Sequence, residues 1–182
     1  LTKIELHGQS TSRILKAMEE LLSDQTLHFQ MVNINQLIHN NIAVLREYDQ
    51  KEIAANQIAI EFTPLDSPLE VEVDPVRLGK TIVSILHNGA YALAKKYAQQ
   101  PFEAKLQIRM EQQADKLLIY LCDNGIGIEL NIREKIFDPF FTTKTTAEAA
   151  GVGLYLCREV ILGHKGQIEV QSAKNEFTQF VL

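Results

Sequence analysis

Apolar residues at Ile14, Leu15, Met18, Leu21 and Leu22 recur with the i, i+3, i+4, i+7 spacing of an amphipathic helix. They predict a first helix over Ile4–Leu22, broken at Asp24 and Gln25. A second helix is predicted from Asn35 to about Ala54, with Leu37, Ile38, Ile42, Leu45 and Tyr48 on one face and Asn33 or Asn35 as its cap. Two alternating runs follow, Gln57–Phe62 and Leu69–Val73, and their proline-containing connection predicts two strands paired with each other. Asp74-Pro75 joins an N-cap to a proline at the first helical position. The predicted helix runs through Leu78, Ile82, Ile85, Leu86 and Leu93 to about Tyr97. Strands over Lys105–Glu111 and Lys116–Cys122 come next. Between Asp123 and Gly153 glycine and threonine replace the periodic pattern, and Thr142–Ala150 reads as a mobile loop. A helix over Val152–Leu162, closed by Gly163, and strands over Gln167–Gln171 and Phe177–Leu182 complete the order. That order predicts a two-layer α/β sandwich, with helices on one face of a mixed sheet and the leading helix outside that layer.

With 46% hydrophobic residues, the 182-residue chain has enough apolar material for one full core. A net charge of −5, from 18 basic and 23 acidic residues, argues against nucleic acid as a partner. No apolar run approaches the roughly 18 residues that would span a bilayer, and the start does not look like a signal peptide. The expected location is cytoplasmic with no membrane contact in this segment, although a parent protein could be membrane-attached. Cys122 and Cys157 sit in apolar patterns rather than metal-ligand spacing, which predicts small buried residues in a reducing compartment. Helical periodicity close to Leu1 and a strand-like run up to Leu182 suggest a piece of a longer protein.

Three segments carry candidate chemistry. In Ser84-Ile85-Leu86-His87-Asn88-Gly89-Ala90-Tyr91, Asn88 is a polar residue in an otherwise buried-looking helix. Its amide oxygen could ligate Mg²⁺, a hard cation that prefers oxygen donors. Alone, Asn88 also fits an ordinary polar helix position. In Asp123-Asn124-Gly125-Ile126-Gly127-Ile128, a carboxylate at a strand end can accept a hydrogen bond from an exocyclic amine such as that of adenine. The spaced glycines let the backbone approach a planar ring, though a turn capped by Asp reads the same way. In Gly151-Val152-Gly153-Leu154, a glycine-rich entry to a helix exposes free N–H groups and the positive end of the helix dipole, both favourable to phosphate.

Taken in order with Ile136-Phe137-Asp138-Pro139-Phe140-Phe141-Thr142-Thr143-Lys144, these segments resemble the Asn box, glycine boxes and phenylalanine box of sensor histidine kinases. The resemblance is close from about Asp74 to Gln171 and looser outside. It implies the Bergerat fold, shared with gyrase and chaperone ATPases, and ATP and Mg²⁺ as ligands. By position it makes Asn88 the Mg²⁺ ligand, Asp123 the adenine-reading carboxylate, and Gly125 and Gly127 the floor under the base. Phe137 and Phe140 would anchor a lid formed by Thr142–Ala150, Thr143 and Lys144 would meet the nucleotide, and Lys144 would reach a phosphate or stay solvated. Gly151, Val152, Gly153 and Leu154 would hold the triphosphate. Asp74 and Arg77 match a recurrent pattern at the start of the Asn-box helix, read as a cap and a surface residue.

The chain also departs from the family. Ser84 stands where a first Asn is common, Gly89 replaces the usual Ala at about 1 kcal/mol of helix propensity, Tyr91 occupies a position often charged or polar, and Tyr155 one that is often Gly. The final strands lack a frequent glycine. Among His7, His28, His39, His87 and His164, none has the His-Glu/Asp-x-x-x-Pro context of a phospho-acceptor. Residues 1–26 instead resemble the second helix of a dimerisation hairpin whose first helix lies upstream, with 27–182 as the ATP-binding domain. The implied activity is transfer of the ATP γ-phosphate to a His on that hairpin, in a homodimer, with a response-regulator receiver domain as the next acceptor. The alternatives are a degenerate nucleotide-sensing or partner-docking module of the same fold, or an ATPase of the chaperone or topoisomerase kind, which the Phe-rich box and short lid disfavour.

Overall fold

A computed structural model of the chain describes residues 18, 19, 21, 22, 26–145 and 149–182. The predicted first helix lies outside the described residues except for Met18, Glu19, Leu21 and Leu22, which are helical; His7 also lies outside them.

The elements in order are β1 (Gln30–Asn33), α1 (Ile34–Tyr48), α2 (Gln50–Ala55), β2 (Ala59–Thr63), β3 (Glu70–Val73) and α3 (Pro75–Tyr97). After them come β4 (Lys105–Gln113), β5 (Lys116–Asp123), α4 (Gly153–Gly163), β6 (Glu169–Ala173) and β7 (Phe177–Val181). A five-stranded sheet has the order β2-β4-β5-β7-β6, with β2 and β4 parallel and the remaining pairs antiparallel. In β4, Leu106, Ile108 and Met110 point into the core while Gln107 and Arg109 face solvent, so helices cover one face only. Ile34, Ile38 and Leu45 of α1 and Ile82, Leu86 and Leu93 of α3 close that core and are essentially inaccessible. The predicted two-layer sandwich is the observed fold.

Two local expectations are corrected. The alternating runs before Asp74 are strands, but they do not pair with each other. β2 runs parallel to β4, whereas β3 lies antiparallel to β1, with Val71 opposite Val32. Alternation marks a strand and which of its faces is buried, not its partner. β1 is only four residues long and too short to show a pattern. The predicted long second helix is interrupted at Asp49, where the Asp49 N–H donates to the Leu45 carbonyl and α2 starts anew. Asn33 provides the cap, accepting from the Gln36 N–H at 3.1 Å. Asn35 instead ties down the connection before β3, exchanging two hydrogen bonds with the Leu65 backbone.

The end of α4 differs as well. Gly163 remains helical and leaves room for Leu27, because a Cβ there would lie 2.7 Å from Leu27 Cδ1. The turn is made by Lys165 at φ 60°, with the Gly166 N–H donating to Ile161 and the Lys165 N–H to Leu162, a paired-bond helix exit.

Asp74 caps α3 as expected and also joins distant segments. Its Oδ1 accepts from the Val76 and Arg77 N–H groups, its Oδ2 from the His28 N–H, and its own N–H donates to His164 Nε2. Burial acts to raise the pKa of this carboxyl, but the N–H groups of Arg77, His28 and Val76 outweigh it and leave the value below 3.8. A lowered folded-state value adds stability that is present above pH 3.8 and lost as the pH falls through the folded value. Asp74→Ala is therefore expected to cost about 2 kcal/mol at pH 7. Urea midpoints of variant and wild type should converge in acid; a gap independent of pH would show that the carboxylate charge is not the cause.

Candidate nucleotide-binding site

A cavity of about 860 Å³ opens between α3, the segment after β5, Phe141–Lys144, Ala149–Leu154 and the β6–β7 turn. That size lies within the roughly 300–1,000 Å³ typical of small-molecule pockets. One end is built around Asp123, the last residue of β5 and 6% exposed. Its Oδ1 accepts from the Gly125 N–H at 2.9 Å. Burial pushes its carboxyl up to about 7, against the opposing pull of the Gly125 N–H and the Lys96 ammonium.

The loop behind Asp123 is held from both sides. Asn124 accepts from the Lys105 N–H and donates to the Glu103 carbonyl, both at 2.8 Å, while Lys96 Nζ donates to the Asn124 carbonyl at 2.7 Å. On the other side, Ser172 Oγ accepts from the Ile128 N–H and donates to the Phe177 carbonyl. The Asn175 N–H donates to the Ile126 carbonyl, and the Arg133 guanidinium donates to the Ser172 carbonyl. Gly127, at φ 64°, sits so tightly against this turn that a Cβ would lie 2.1 Å from the Ala173 oxygen.

At the other end, Asn88 on α3 presents its Oδ1 to the cavity, where the Lys144 ammonium donates to it at 2.8 Å. The same ammonium lies 4.1 Å from the centre of the Tyr91 ring. The start of α4 completes this end. Its N-cap, Val152, makes no side-chain capping bond, so first-turn N–H groups meet the cavity beside Ser84.

Of the twelve nucleotide-site residues that the resemblance implies, nine line this cavity: Asn88, Asp123, Gly127, Thr143, Lys144, Gly151, Val152, Gly153 and Leu154. Gly125, Phe137 and Phe140 are not among its walls. Gly125 is pressed against Ala92 and supplies the N–H that holds Asp123. Phe137 is buried edge-on against Phe180, behind the wall that Ile136 and Phe180 present. Phe140 is 53% exposed and takes φ 65°. Phe141 is the aromatic of that motif that faces the cavity. Gly151, at φ 76°, lets the chain pass where a Cβ would strike the Phe140 and Phe141 backbone.

Gly89 gains a packing explanation for its helix penalty, since a Cβ there would lie 2.7 Å from Leu106 Cδ1 and 3.4 Å from Asp123. The small residue lets α3 approach the strand ends closely enough to share one pocket with Asp123. Sequence reasoning missed Thr178, Asn175 and His87 as wall residues. The first two belong to a hairpin carrying no motif. His87 has a signal only in three dimensions, where its Nδ1 meets the buried Asp49 carboxylate at 2.8 and 2.9 Å. His164 is a packed residue, held by Asp74 and the Val160 carbonyl. Cys157 is buried and Cys122 half-buried, both free thiols.

These residues fit a magnesium–nucleotide ligand. Asn88 offers an oxygen already engaged by a cation, and no group of three or more His, Cys, Asp or Glu side chains among the described residues is placed to hold a metal. One protein oxygen, with phosphates and water supplying the rest, is how Mg²⁺ is commonly held. Among the described residues, no helix is long and apolar enough to cross a membrane.

Comparison with known proteins gives the family and the fold. The profile of the family described as histidine kinase-, DNA gyrase B- and HSP90-like ATPase matches residues 73–182. Signal transduction histidine-protein kinase AtoS of Escherichia coli K12 is 30% identical over 176 residues, covering 95% of this chain and 26% of AtoS. Sensor histidine kinase ZraS of Salmonella typhimurium is 28% identical over 171 residues, 94% of this chain and 34% of ZraS. The chain thus spans about a third or less of these relatives' length. The nucleotide-free catalytic domain of histidine kinase ThkA superposes with a TM-score of 0.67 at 25% identity, covering 86% of this chain and 97% of that one. With ThkA in its complex with the response regulator TrrA, the TM-score is 0.70 at 24% identity, over 98% of this chain and 48% of that one. The curated relatives it matches are sensor histidine kinases, and the chain belongs to the family of histidine kinase-, DNA gyrase B- and HSP90-like ATPases.

Proposed function

We propose that this domain binds ATP with Mg²⁺ and transfers the γ-phosphate to a histidine on a helical hairpin of the parent kinase, from which an aspartate of a receiver domain takes it. The observation that carries this reading is one cavity with an adenine-type acceptor at one end, Asp123, and at the other the first-turn N–H groups of α4 facing the Asn88 oxygen. Asp123 would accept from the exocyclic amine, with Thr178 and the Gly127 backbone beside the base. Asn88 would hold Mg²⁺, which when bound neutralises phosphate charge. The first-turn N–H groups of α4, from Gly153 and Leu154, would steady the phosphate oxygens. Phosphoryl transfer asks the protein mainly for position and charge. The imidazole nitrogen forms the P–N bond as the bond from the γ-phosphorus to the bridging oxygen breaks; ADP leaves with that electron pair and the imidazole proton passes to a base.

The proposal carries with it a homodimer built through the hairpin, residues 1–26 as the hairpin's second helix, residues 27–182 as the catalytic domain, and a cytoplasmic location. A second reading, a nucleotide-sensing module without transfer activity, is motivated by Ser84 and Tyr91 in the pocket wall.

Calorimetric titration with Mg-ADP and a nonhydrolysable ATP analogue tests the pocket. Radiolabel transfer from ATP by the domain joined to a complete hairpin tests the chemistry. Expected are micromolar-range binding, about −8 kcal/mol, and label on the hairpin histidine. Binding without label would favour the sensing module, and no binding would end both.

A further inference from the structure

The Asn88 oxygen that the nucleotide-binding reading reserves for a metal accepts, in this structure, from a cation of the protein itself. Lys144 Nζ donates to Asn88 Oδ1 at 2.8 Å and stands 4.1 Å from the Tyr91 ring centre, one helical turn further along α3. The Lys144 backbone is held too, its N–H donating to Thr142 Oγ1 at 3.1 Å. Tyr91 lines the same cavity. An aromatic face there attracts an ammonium without adding a competing charge.

We propose that Lys144 is a built-in substitute for the divalent cation, seated on Asn88 and Tyr91, so that the pocket accepts a nucleoside phosphate with or without Mg²⁺. The inference rests on the nucleotide-binding reading for its ligand but not for its geometry. A metal ion and an ammonium cannot share the Asn88 oxygen without strong mutual repulsion, so one replaces the other. The phosphates then meet one cation at this place in either case. Affinity should accordingly depend little on the metal, whereas transfer chemistry still requires it.

The test is ADP affinity by calorimetry, with Mg²⁺ and with a chelator, for the wild-type chain and Lys144→Met. For the wild type, removing Mg²⁺ should change the Kd by less than about threefold. In Lys144→Met the metal-free Kd should rise at least about tenfold while the Mg²⁺-loaded Kd moves by less than about threefold, a gap of roughly one decade. Equal weakening under both conditions would mean that Lys144 contacts phosphate beside the metal, and no change in either would mean that it is idle; both overturn the proposal.

A wild-type chain that binds no ADP would defeat the nucleotide reading, and the cation exchange is then decided without nucleotide. Titrating MgCl₂ alone while following the Asn88 side-chain amide by NMR should show at least about tenfold tighter Mg²⁺ binding in Lys144→Met than in wild type. An unchanged Mg²⁺ response would overturn the substitution.

Discussion

Asp123→Asn is expected to weaken ADP binding by about 100-fold, ~2.8 kcal/mol, while making the nucleotide-free domain more stable above neutral pH. The two effects have one cause. Asp123 is buried at the end of β5 and only one of its oxygens is engaged, by the Gly125 N–H. In the asparagine variant the amide oxygen keeps that bond, so the NH₂ group turns toward the pocket and meets the exocyclic amine of adenine donor to donor. Specificity of this kind comes from the unpaired donor as much as from the lost acceptor.

The stability effect follows from the carboxyl's raised value. Its pKa is about 7 in the fold against 3.8 as the ordinary value, so its contribution is fully present below 3.8 and lost as the pH rises through 7. Asparagine does not titrate. The stability difference between variant and wild type should therefore grow in the variant's favour from pH 4 to 7 and level off above about 8. Urea denaturation across that range measures it. A variant that loses binding with no pH-dependent gain would show that Asp123 is not carrying a buried charge, and retained binding would remove it from the base-recognition role.

Gly127→Ala is expected to be the most damaging single added methyl group in this domain, costing about 3 kcal/mol or more of stability. Two penalties coincide there. The residue has φ 64°, a conformation that L side chains rarely adopt, and a Cβ would lie 2.1 Å from the Ala173 oxygen and 2.8 Å from its carbonyl carbon. Both contacts are backbone, so no side-chain rotation relieves them. To admit the methyl group, the chain must separate the loop after β5 from the β6–β7 turn. That breaks the Asn175–Ile126 and Ser172–Ile128 bonds that hold the pocket floor. Gly153→Ala is the control, because its Cβ would meet only Ser84 Oγ at 3.4 Å, an ordinary contact. Thermal unfolding separates the cases: a large drop in Tm for Gly127→Ala beside a small one for Gly153→Ala is expected. Equal drops would place the cost in glycine replacement as such rather than in this close approach.

Much of the molecule is legible in the sequence. Periodicity marks α3 and α4, alternation marks β2 and β3, and the cap at Asp74 is readable because helix initiation is a local event among adjacent residues. The order of glycines, Asn88, Asp123 and the Phe-rich segment carries the family, because backbone freedom and polar chemistry at fixed chain positions survive as sequence spacing. Strand partnership is not legible. β1 and β3 meet across some forty residues and run directly into α1 and α3, which pack together, so their pairing depends on a contact between segments far apart in the chain.

The same division holds at the site. That Asp123 is a carboxylate at a strand end is written in the sequence, but its pKa near 7 arises from burial by residues of α3 and β7. Gly89 looks like a helix defect until Leu106 and Asp123 are seen against it. Lys144 reads as one more loop lysine until folding sets it on Asn88, 56 residues away along the chain. The sequence alone determined most of the helices and strands, their chemistry and the family, because those depend on neighbouring residues. Only the tertiary structure decided which groups share a cavity and in what charge state, because burial and contact depend on distance in space.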